Sequence, residues 1–203
     1  AEGAVMRSLP FEDVVEPGST AKVMSLGSSL NEGVVSPTTP LTVPGVLPRS
    51  DAAFKDFSAH GTLYLTAAGI LAVSSNIGTI MIAEKLSPQK IDDYYRKFGM
   101  GTKSATGFPG ESAGIIHAPN APAYSGTTRF TMLFGQGFSL TPVQSTGVFQ
   151  AVANGGVRMP ATLVEGTYAA DGTFAPTALP QGIRVLAPEP NAALIKMMEN
   201  VTN

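Results

Sequence analysis

Residues 16–33 have the sequence EPGSTAKVMSLGSSLNEG, which predicts a helix from 16 to 31. A Pro-Gly pair forms a turn at its entrance, and the hydroxyl of Ser19 or Thr20 can cap the free N–H groups that follow. Gly33 comes directly after the predicted end, where a left-handed residue commonly stops a helix. The helix is therefore expected to begin in a turn that carries a serine.

One basic residue falls on the apolar side of this helix. The face that the helix is expected to bury carries Val23, Leu26 and Leu30, and at about 100° per residue Lys22 lies on the same face. Lysine is almost never fully buried without a partner, and burial lowers its pKa until the amine can accept a proton. Ser19 lies one turn earlier, close to the N–H groups of the helix N-terminus. A serine, a desolvated lysine and N–H donors are the components of an acyl-transfer nucleophile.

The same residues also have a purely structural explanation. Ser19 can act only as a helix cap, and Lys22 can extend its amine to water along its own stem. The Ser-x-x-Lys spacing is not specific, because Ser87 and Lys90 repeat it where a cap and a surface lysine are expected. From spacing alone, both interpretations stay open.

A second polar cluster, Ser74-Ser75-Asn76, interrupts a charge-free run from 61 to 83. The run is long enough to cross a bilayer, but a polar cluster at its centre is uncommon inside a membrane. We expect two short helices instead, at 62–73 and 76–86, joined by a polar turn. The cluster can be a plain turn or part of a site, since Ser29-Leu30-Asn31 has the same pattern.

The clearest helix follows Ser87, which is expected to cap it, with Pro88 in the first helical position. Its apolar stripe consists of Ile91, Tyr94, Tyr95 and Phe98. The opposite face is expected to be solvated and carries Lys90, Asp92, Asp93, Arg96 and Lys97.

Over the whole chain, the sequence predicts about six helices, little strand and no βαβ alternation. A Thr-x-x-Gln capping box at Thr141 begins one helix, and a last amphipathic helix is expected at about 190–201. Segments rich in Pro or Gly predict a loop or extended stretch at 34–48 and a long loop at 101–127. A hairpin is expected within 159–186, turning at Ala170-Asp171-Gly172. The fold class is therefore α+β and mostly helical.

The composition excludes several classes of function. The chain has 203 residues with 13 Lys and Arg against 15 Asp and Glu, and a net charge of −2 provides no basic surface for nucleic acid or anionic lipid. The absence of cysteine excludes disulfides, thiolate metal sites and a thiol nucleophile. His60 and His117 lie too far apart for a local metal motif, and we expect neither a metal nor a cofactor.

Taken in order, these segments resemble the transpeptidase domain of a class B penicillin-binding protein. Ser19-Thr20-Ala21-Lys22, with Glu16-Pro17-Gly18 before it, is similar to the active-serine motif of that family, and Ser74-Ser75-Asn76 is similar to its second motif. Further segments resemble family landmarks: Phe98-Gly99-Met100-Gly101, Pro109-Gly110-Glu111-Ser112, Gly135-Gln136-Gly137 leading into Thr141-Pro142-Val143-Gln144, and Ala153-Asn154-Gly155-Gly156. The likeness extends from about Arg7 to the end of the chain.

This resemblance implies peptidoglycan D,D-transpeptidation in cell-wall synthesis, with the division-type (septal) enzymes as the nearest match. Ser19 would attack the carbonyl between the two terminal D-alanines of a stem peptide, and the acyl-enzyme would pass to an amine of a neighbouring stem. Lys22 would take the serine proton, and Ser74 would relay a proton. Asn76 would hydrogen-bond the substrate amide and Lys22. β-Lactam antibiotics would acylate Ser19 by the same route.

One motif of that family has no counterpart in these residues, because no Lys-Thr-Gly or Lys-Ser-Gly triplet occurs. We expect these residues to lack the family's opening strands, pedestal domain and membrane anchor too. We therefore expect 1–203 to be a partial transpeptidase domain, the mostly helical portion of a serine β-lactamase and D,D-transpeptidase-like fold with an incomplete sheet. By itself it is expected to be catalytically crippled and to expose apolar helix faces.

The resemblance also implies partners and a location. Peptidoglycan stem peptides and β-lactam antibiotics are the expected ligands, division proteins are expected partners, and nucleic acid is not. The parent protein would be anchored in the bacterial cell membrane and act on its extracytoplasmic face. Two alternatives stay open, which are a β-lactamase or β-lactam-sensor relative and a non-catalytic module that docks onto division or wall-synthesis proteins.

Overall fold

Helix α2, from Lys22 to Asn31, lies at the centre of the computed structural model, which describes residues 7–202. The other α-helices of this range are α1 (Leu9–Glu12), α3 (Ala67–Ala72), α4 (Asn76–Ala83), α5 (Pro88–Lys97), α6 (Thr128–Thr131), α7 (Pro142–Ala153) and α8 (Pro188–Glu199). Two 3-10 turns, Gly18–Ala21 and Met132–Phe134, directly precede α2 and follow α6.

The strands of the described residues are short and pair into four separate antiparallel ribbons, with no closed sheet. The pairs are β1 (Pro40–Val43) with β4 (Leu63–Thr66), β2 (Leu47–Arg49) with β3 (Ala52–Phe54), β5 (Val157–Arg158) with β8 (Ile183–Arg184), and β6 (Gly166–Tyr168) with β7 (Phe174–Pro176). Helices thus outweigh strands, and the predicted α+β class is confirmed.

The core is built around α2, which is buried from Lys22 to Leu30 and packs against α4, α5 and α8. The three apolar residues predicted for its inner face all lie in this core. A small residue permits the closest approach, since a Cβ added to Gly27 would lie 3.0 Å from a methyl carbon of Leu194. The helix that carries Lys22 is therefore enclosed by neighbouring helices, so its position is set by packing.

The helix predicted at 62–73 is wrong over its first part. Residues 63–66 form β4, which pairs with β1 so that Leu65 lies opposite Leu41. The helical part, α3, begins only at Ala67, where Thr66 caps it by accepting a hydrogen bond from the Gly69 N–H. A short apolar run does not distinguish strand from helix, and pairing with a distant segment decides the outcome. None of the helices within 7–202 has the length and apolar character that crossing a bilayer requires.

The helix predicted after Ser87 is confirmed as α5. Ser87 caps it by accepting a hydrogen bond from the Lys90 N–H at 3.2 Å, and the predicted apolar stripe is buried. The prediction of a fully solvated opposite face is wrong at Asp92, which is only 7% exposed and accepts a hydrogen bond from Arg96 Nε at 3.3 Å. Arg96 also donates to the Ile116 carbonyl, because the long loop that follows α5 packs over this side.

That long loop is held in place by the residue that closes the next capping box. The predicted box between Thr141 and Gln144 is confirmed at the start of α7. The Gln144 amide also donates to the carbonyl oxygens of Gly99, Thr102 and Ala113, at 3.3, 3.0 and 2.8 Å. Residues 101–127 contain neither helix nor paired strand apart from one isolated bridge, as predicted.

The C-terminal part follows the predictions closely. The predicted turn at Ala170-Asp171-Gly172 joins β6 to β7. The last helix, α8, begins at Pro188, and Leu194 and Met197 are buried on its inner face. Val201, which was predicted for the same face, lies beyond the end of the helix and is half exposed.

Candidate active site

Ser19 lies in the 3-10 turn that leads directly into α2. The predicted side-chain cap is not formed at this turn, and the Thr20 hydroxyl donates instead to the Pro17 carbonyl at 2.7 Å. The Ser19 side chain is exposed at the N-terminal end of the helix, one turn before Lys22. The serine is therefore presented to solvent and remains free to react.

A close backbone approach fixes this turn. The Gly18 N–H donates to the Gly135 carbonyl at 2.9 Å, and the Gly137 N–H donates to the Glu16 carboxylate at 2.7 Å. Gly135 has a φ of +95°, and a Cβ there would lie 1.8 Å from the Gly18 oxygen. Only glycine fits at this position. The glycine loop 135–137 thus holds the backbone that presents Ser19.

Lys22 is fully buried, and its amine is directed at both serines of the predicted site. The Nζ atom lies 3.2 Å from Ser19 Oγ, 2.9 Å from Ser74 Oγ and 2.5 Å from the Ser74 carbonyl oxygen. Burial lowers the pKa of Lys22 from 10.5 to about 8, and the negative charge of Asp56 offsets part of this effect. With that pKa, roughly one lysine in ten is a neutral amine at pH 7.

Ser74 occupies a strained turn at the end of α3. Its N–H donates to the Leu71 carbonyl and the next N–H, from Ser75, donates to the Ile70 carbonyl, which together form a Schellman motif. The left-handed position of this motif usually holds glycine, but here it holds Ser74 with a φ of +55°. Strain of this kind persists where the surroundings hold the residue in place. In this case it turns both oxygens of Ser74 toward Lys22.

Asn76, the last residue of the second motif, begins α4. Its side-chain amide donates to the Lys55 carbonyl at 3.3 Å. Among the hydrogen bonds of residues 7–202, the predicted one between Asn76 and Lys22 is not formed. The side chain is partly exposed on the cleft wall, and its substrate-binding role remains a prediction.

Ser19, Ser74 and Asn76 line one open cleft with a volume of about 690 Å³. Phe57 and Phe134 contribute apolar surface to its walls. A cleft with a nucleophile, a buried amine and a few polar groups among apolar walls is typical of an enzyme site for a small ligand or a peptide end.

The structure brings Ser74 together with Ser19 and Lys22, which lie at least 52 positions earlier in the chain. The second Ser-x-x-Lys segment behaves as the plain alternative, since Ser87 caps α5 and Lys90 Nζ pairs with the Glu32 carboxylate at 3.2 Å on the surface. The buried position of Lys22 is what separates the two.

Two titratable residues of the cleft, Asp56 and His60, were not assigned to the site from the sequence. Both lie in the segment after β3 and line the same cleft as Ser19. An isolated Asp 18 residues before Ser74 gives no periodic or motif signal. The proximity arises only because the segment folds back onto the start of α4.

Comparison with known proteins agrees with this geometry. The family model for the penicillin binding protein transpeptidase domain matches residues 2–203. The chain belongs to this family. Its relatives place it with the class B penicillin-binding proteins, whose members are named peptidoglycan D,D-transpeptidases and are therefore enzymes.

Similar proteins include the penicillin-binding protein PbpB of Mycolicibacterium smegmatis, which is 36% identical over 96% of this chain and 29% of its own length. The peptidoglycan D,D-transpeptidase FtsI of Escherichia coli is 32% identical over 79% of this chain and 26% of its own length. Among solved structures, penicillin binding protein 3 of Mycobacterium tuberculosis complexed with aztreonam superposes with a TM-score of 0.91 at 34% identity, over 97% of this chain and 43% of that one.

The chain spans less than a third of the length of these curated relatives. The family assignment therefore applies to the fold and the cleft of these residues.

Proposed function

We propose that these residues belong to a peptidoglycan D,D-transpeptidase that cross-links stem peptides through an acyl-enzyme on Ser19. One observation carries this proposal, which is the buried Lys22 amine between the hydroxyls of Ser19 and Ser74, at 3.2 and 2.9 Å. An activated nucleophile of this kind requires a base within hydrogen-bonding reach, with its pKa shifted toward the working pH.

The first step begins with neutral Lys22. Two of its N–H bonds can donate to the two Ser74 oxygens, so that its lone pair faces the Ser19 hydroxyl. Ser19 Oγ attacks the carbonyl carbon of the bond between the two terminal D-alanines while its proton moves to Lys22. The helix N-terminus next to Ser19 favours the negative charge that develops on the substrate oxygen.

The second step returns the proton. The C–N bond breaks, and the leaving D-alanine amine receives a proton from the Lys22 ammonium by way of the Ser74 hydroxyl. The Ser19 ester then reacts with an amine of a neighbouring stem, which forms the cross-link and restores the serine hydroxyl. Asn76 on the cleft wall is proposed to bind the peptide amide.

The biological setting follows from the relatives. They are cell-wall synthesis proteins that act outside the cytoplasm. We extend to this chain a role at the extracytoplasmic face of the membrane, in a membrane-anchored parent, with division proteins as partners, on the basis of its likeness to FtsI. The Mycobacterium tuberculosis complexes with aztreonam and ampicillin support β-lactams as ligands of the same cleft.

The proposal is tested by acylation with a fluorescent penicillin, followed over hours to days on denaturing gels. The long time course allows for a site without the Lys-Thr-Gly segment, since loss of one oxyanion donor slows such steps by about 10²–10³-fold. Lys22→Ala is expected to abolish labelling that the native chain shows.

Lys90→Ala is the matched control, because it removes a lysine at the same spacing from a serine, on the surface. It is expected to label at the native rate. Equal loss in both variants, or no labelling of the native chain at any time, would contradict the proposal.

A further inference from the structure

Asp56 is a carboxylate of the cleft that accepts three hydrogen bonds. One oxygen, Oδ2, accepts hydrogen bonds from Ser75 Oγ at 2.6 Å and from His60 Nε2 at 2.9 Å. The other, Oδ1, accepts from the Ile77 N–H at 2.9 Å. Burial alone raises the pKa of Asp56, but these bonds outweigh it, so its pKa lies below the usual value and the group is charged.

These bonds lead directly to the second motif. Ser75 caps α4 by accepting a hydrogen bond from the Gly78 N–H at 2.8 Å while its own hydroxyl donates to Asp56. The carbonyl of the preceding residue, Lys55, accepts from the Asn76 side chain. Lys55 and Asp56 therefore hold the side chains of Ser75 and Asn76 and the backbone N–H of Ile77, immediately after the strained Ser74.

The segment is itself anchored in the core. Phe54, at the end of β3, is buried and packs its ring against Phe130 and Phe134, with centroids 5.7 and 6.1 Å apart. Because Asp56 follows two residues later, this aromatic cluster sets where the carboxylate lies. The segment that carries Asp56 is thus anchored by packing contacts that do not involve Lys22 or Ser19.

Asp56 is also the charge that acts on Lys22, whose pKa it raises against the effect of burial. The other titratable groups on this segment are Lys55, which directly precedes Asp56, and His60, whose Nε2 lies 2.9 Å from the Asp56 carboxylate. The charged groups at the ends of α2 and α4 and on the inner part of α5 have partners elsewhere: Glu32 with Lys90, Glu84 with Arg49, and Asp92 with Arg96. Glu189 and Lys196 of α8 line a separate cavity beside Pro37.

We propose that Asp56 is a positioning residue for the acyl transfer inferred above, which holds the start of α4 beside Ser74 through its hydrogen bonds to Ser75 and Ile77 and supplies a negative charge that acts on Lys22. His60 supports the position of Asp56. Its two ring nitrogens lie within hydrogen-bonding distance of the Gly61 carbonyl and the Asp56 carboxylate, and a protonated imidazole can donate to both of these acceptors. The bond to Gly61 and then the bond to Asp56 raise the pKa of His60.

The test compares Asp56→Asn with Asp51→Asn by NMR titration of ¹³C-labelled lysine, the Lys22 signal being assigned by its loss in Lys22→Arg. Asp51 is the matched control because it is an exposed carboxylate just before β3, bonded to Thr127 and not to the cleft. Removal of the Asp56 charge is expected to lower the Lys22 titration midpoint by about 0.5 pH unit or more, and Asp51→Asn to leave it unchanged.

Two further readouts separate position from charge. Amide exchange at Ile77 is expected to quicken by about tenfold in Asp56→Asn, since its N–H loses a charged acceptor. The acid limb of the pH profile for penicillin acylation is expected to move to lower pH as the plateau rate falls. A purely structural role would lower the plateau without moving the limb.

The outcomes distinguish this inference from the proposed function. The lysine titration and the amide exchange require no acylation, so they test Asp56 even if Ser19 never reacts. If Asp56→Asn does not fold, Asp56→Glu, which keeps the charge, is expected to fold and to retain the native Lys22 midpoint. Equal Lys22 midpoints in folded Asp56→Asn and Asp51→Asn, or a shifted midpoint in Asp56→Glu, would overturn the proposal.

Discussion

Lys22 combines two properties that rarely occur in one side chain, complete burial and three oxygen acceptors within reach of its amine. The three acceptors match the three N–H donors of an ammonium, which explains how a charge is tolerated there at all. The neutral amine keeps only two of these bonds as a donor and turns its lone pair to the third partner. Within the same local geometry, the neutral Lys22 amine can therefore act as a base and its ammonium form as an acid.

The lowered pKa of Lys22 predicts how stability depends on pH. Between about pH 8 and 10.5 the unfolded chain holds a proton on Lys22 that the folded chain has released, so the free energy of unfolding rises with pH. Relative to Lys22→Met, the native chain is expected to gain roughly 2 kcal/mol between pH 7 and pH 10, since each pKa unit corresponds to about 1.4 kcal/mol. Urea unfolding of both proteins at the two pH values measures this gain.

Subtracting the free energy of unfolding of Lys22→Met from that of the native chain removes the contribution of the other titrating groups. These include Tyr94 and Tyr95, whose pKa values are raised by burial. Parallel curves for the native chain and Lys22→Met would show that Lys22 keeps an ordinary pKa in the folded protein.

At the scale of elements, the turn between α3 and α4 carries both a folding cost and a function. A side chain at the left-handed position costs about 1 kcal/mol compared with glycine. The hydrogen bonds that the Lys22 amine donates to the two oxygens of Ser74 offset this cost. The second motif is therefore placed by a helix ending on one side and by a capped helix start on the other.

The strain at this turn is tested by comparing Ser74→Gly with Ser74→Ala. Both lose the hydroxyl, but only alanine keeps a Cβ at a φ of +55°. Ser74→Gly is expected to be more stable than Ser74→Ala by about 1 kcal/mol in urea unfolding.

The control lies inside α3, where Ala72→Gly is expected to destabilise by up to about 1 kcal/mol, because glycine is unfavourable at an ordinary helical position. If glycine lowers stability at both positions, the backbone at Ser74 is not strained.

The elements also differ in how far the sequence predicts them. Ser87-Pro88 and Thr141-Pro142 carry their own start signals, so α5 and α7 begin where predicted. Residues 63–66 carry none, and their strand exists only through pairing with β1. Asp92 was predicted to be solvated because a helix face is judged by its own residues, whereas the loop that covers it comes from later in the chain.

At the scale of the whole molecule, the site is the meeting point of segments far apart in the chain. The turn before α2, the glycine loop at 135–137, the segment after β3 and the start of α4 converge on one cleft. Ser19 and Lys22 could be proposed from their spacing and the apolar stripe of α2, and Ser74 from the family resemblance. Asp56 could not, since its role arises from a fold-back that no local pattern records.

The account depends most on Ser19 as the nucleophile, and intact mass of the protein after prolonged incubation with a penicillin tests this directly. We predict one adduct with the mass of the whole antibiotic, mapping to the peptide that contains Ser19 and absent from Ser19→Ala. An adduct on any other residue, or one that persists in Ser19→Ala, would contradict the account, as would an unchanged mass of 21.0 kDa.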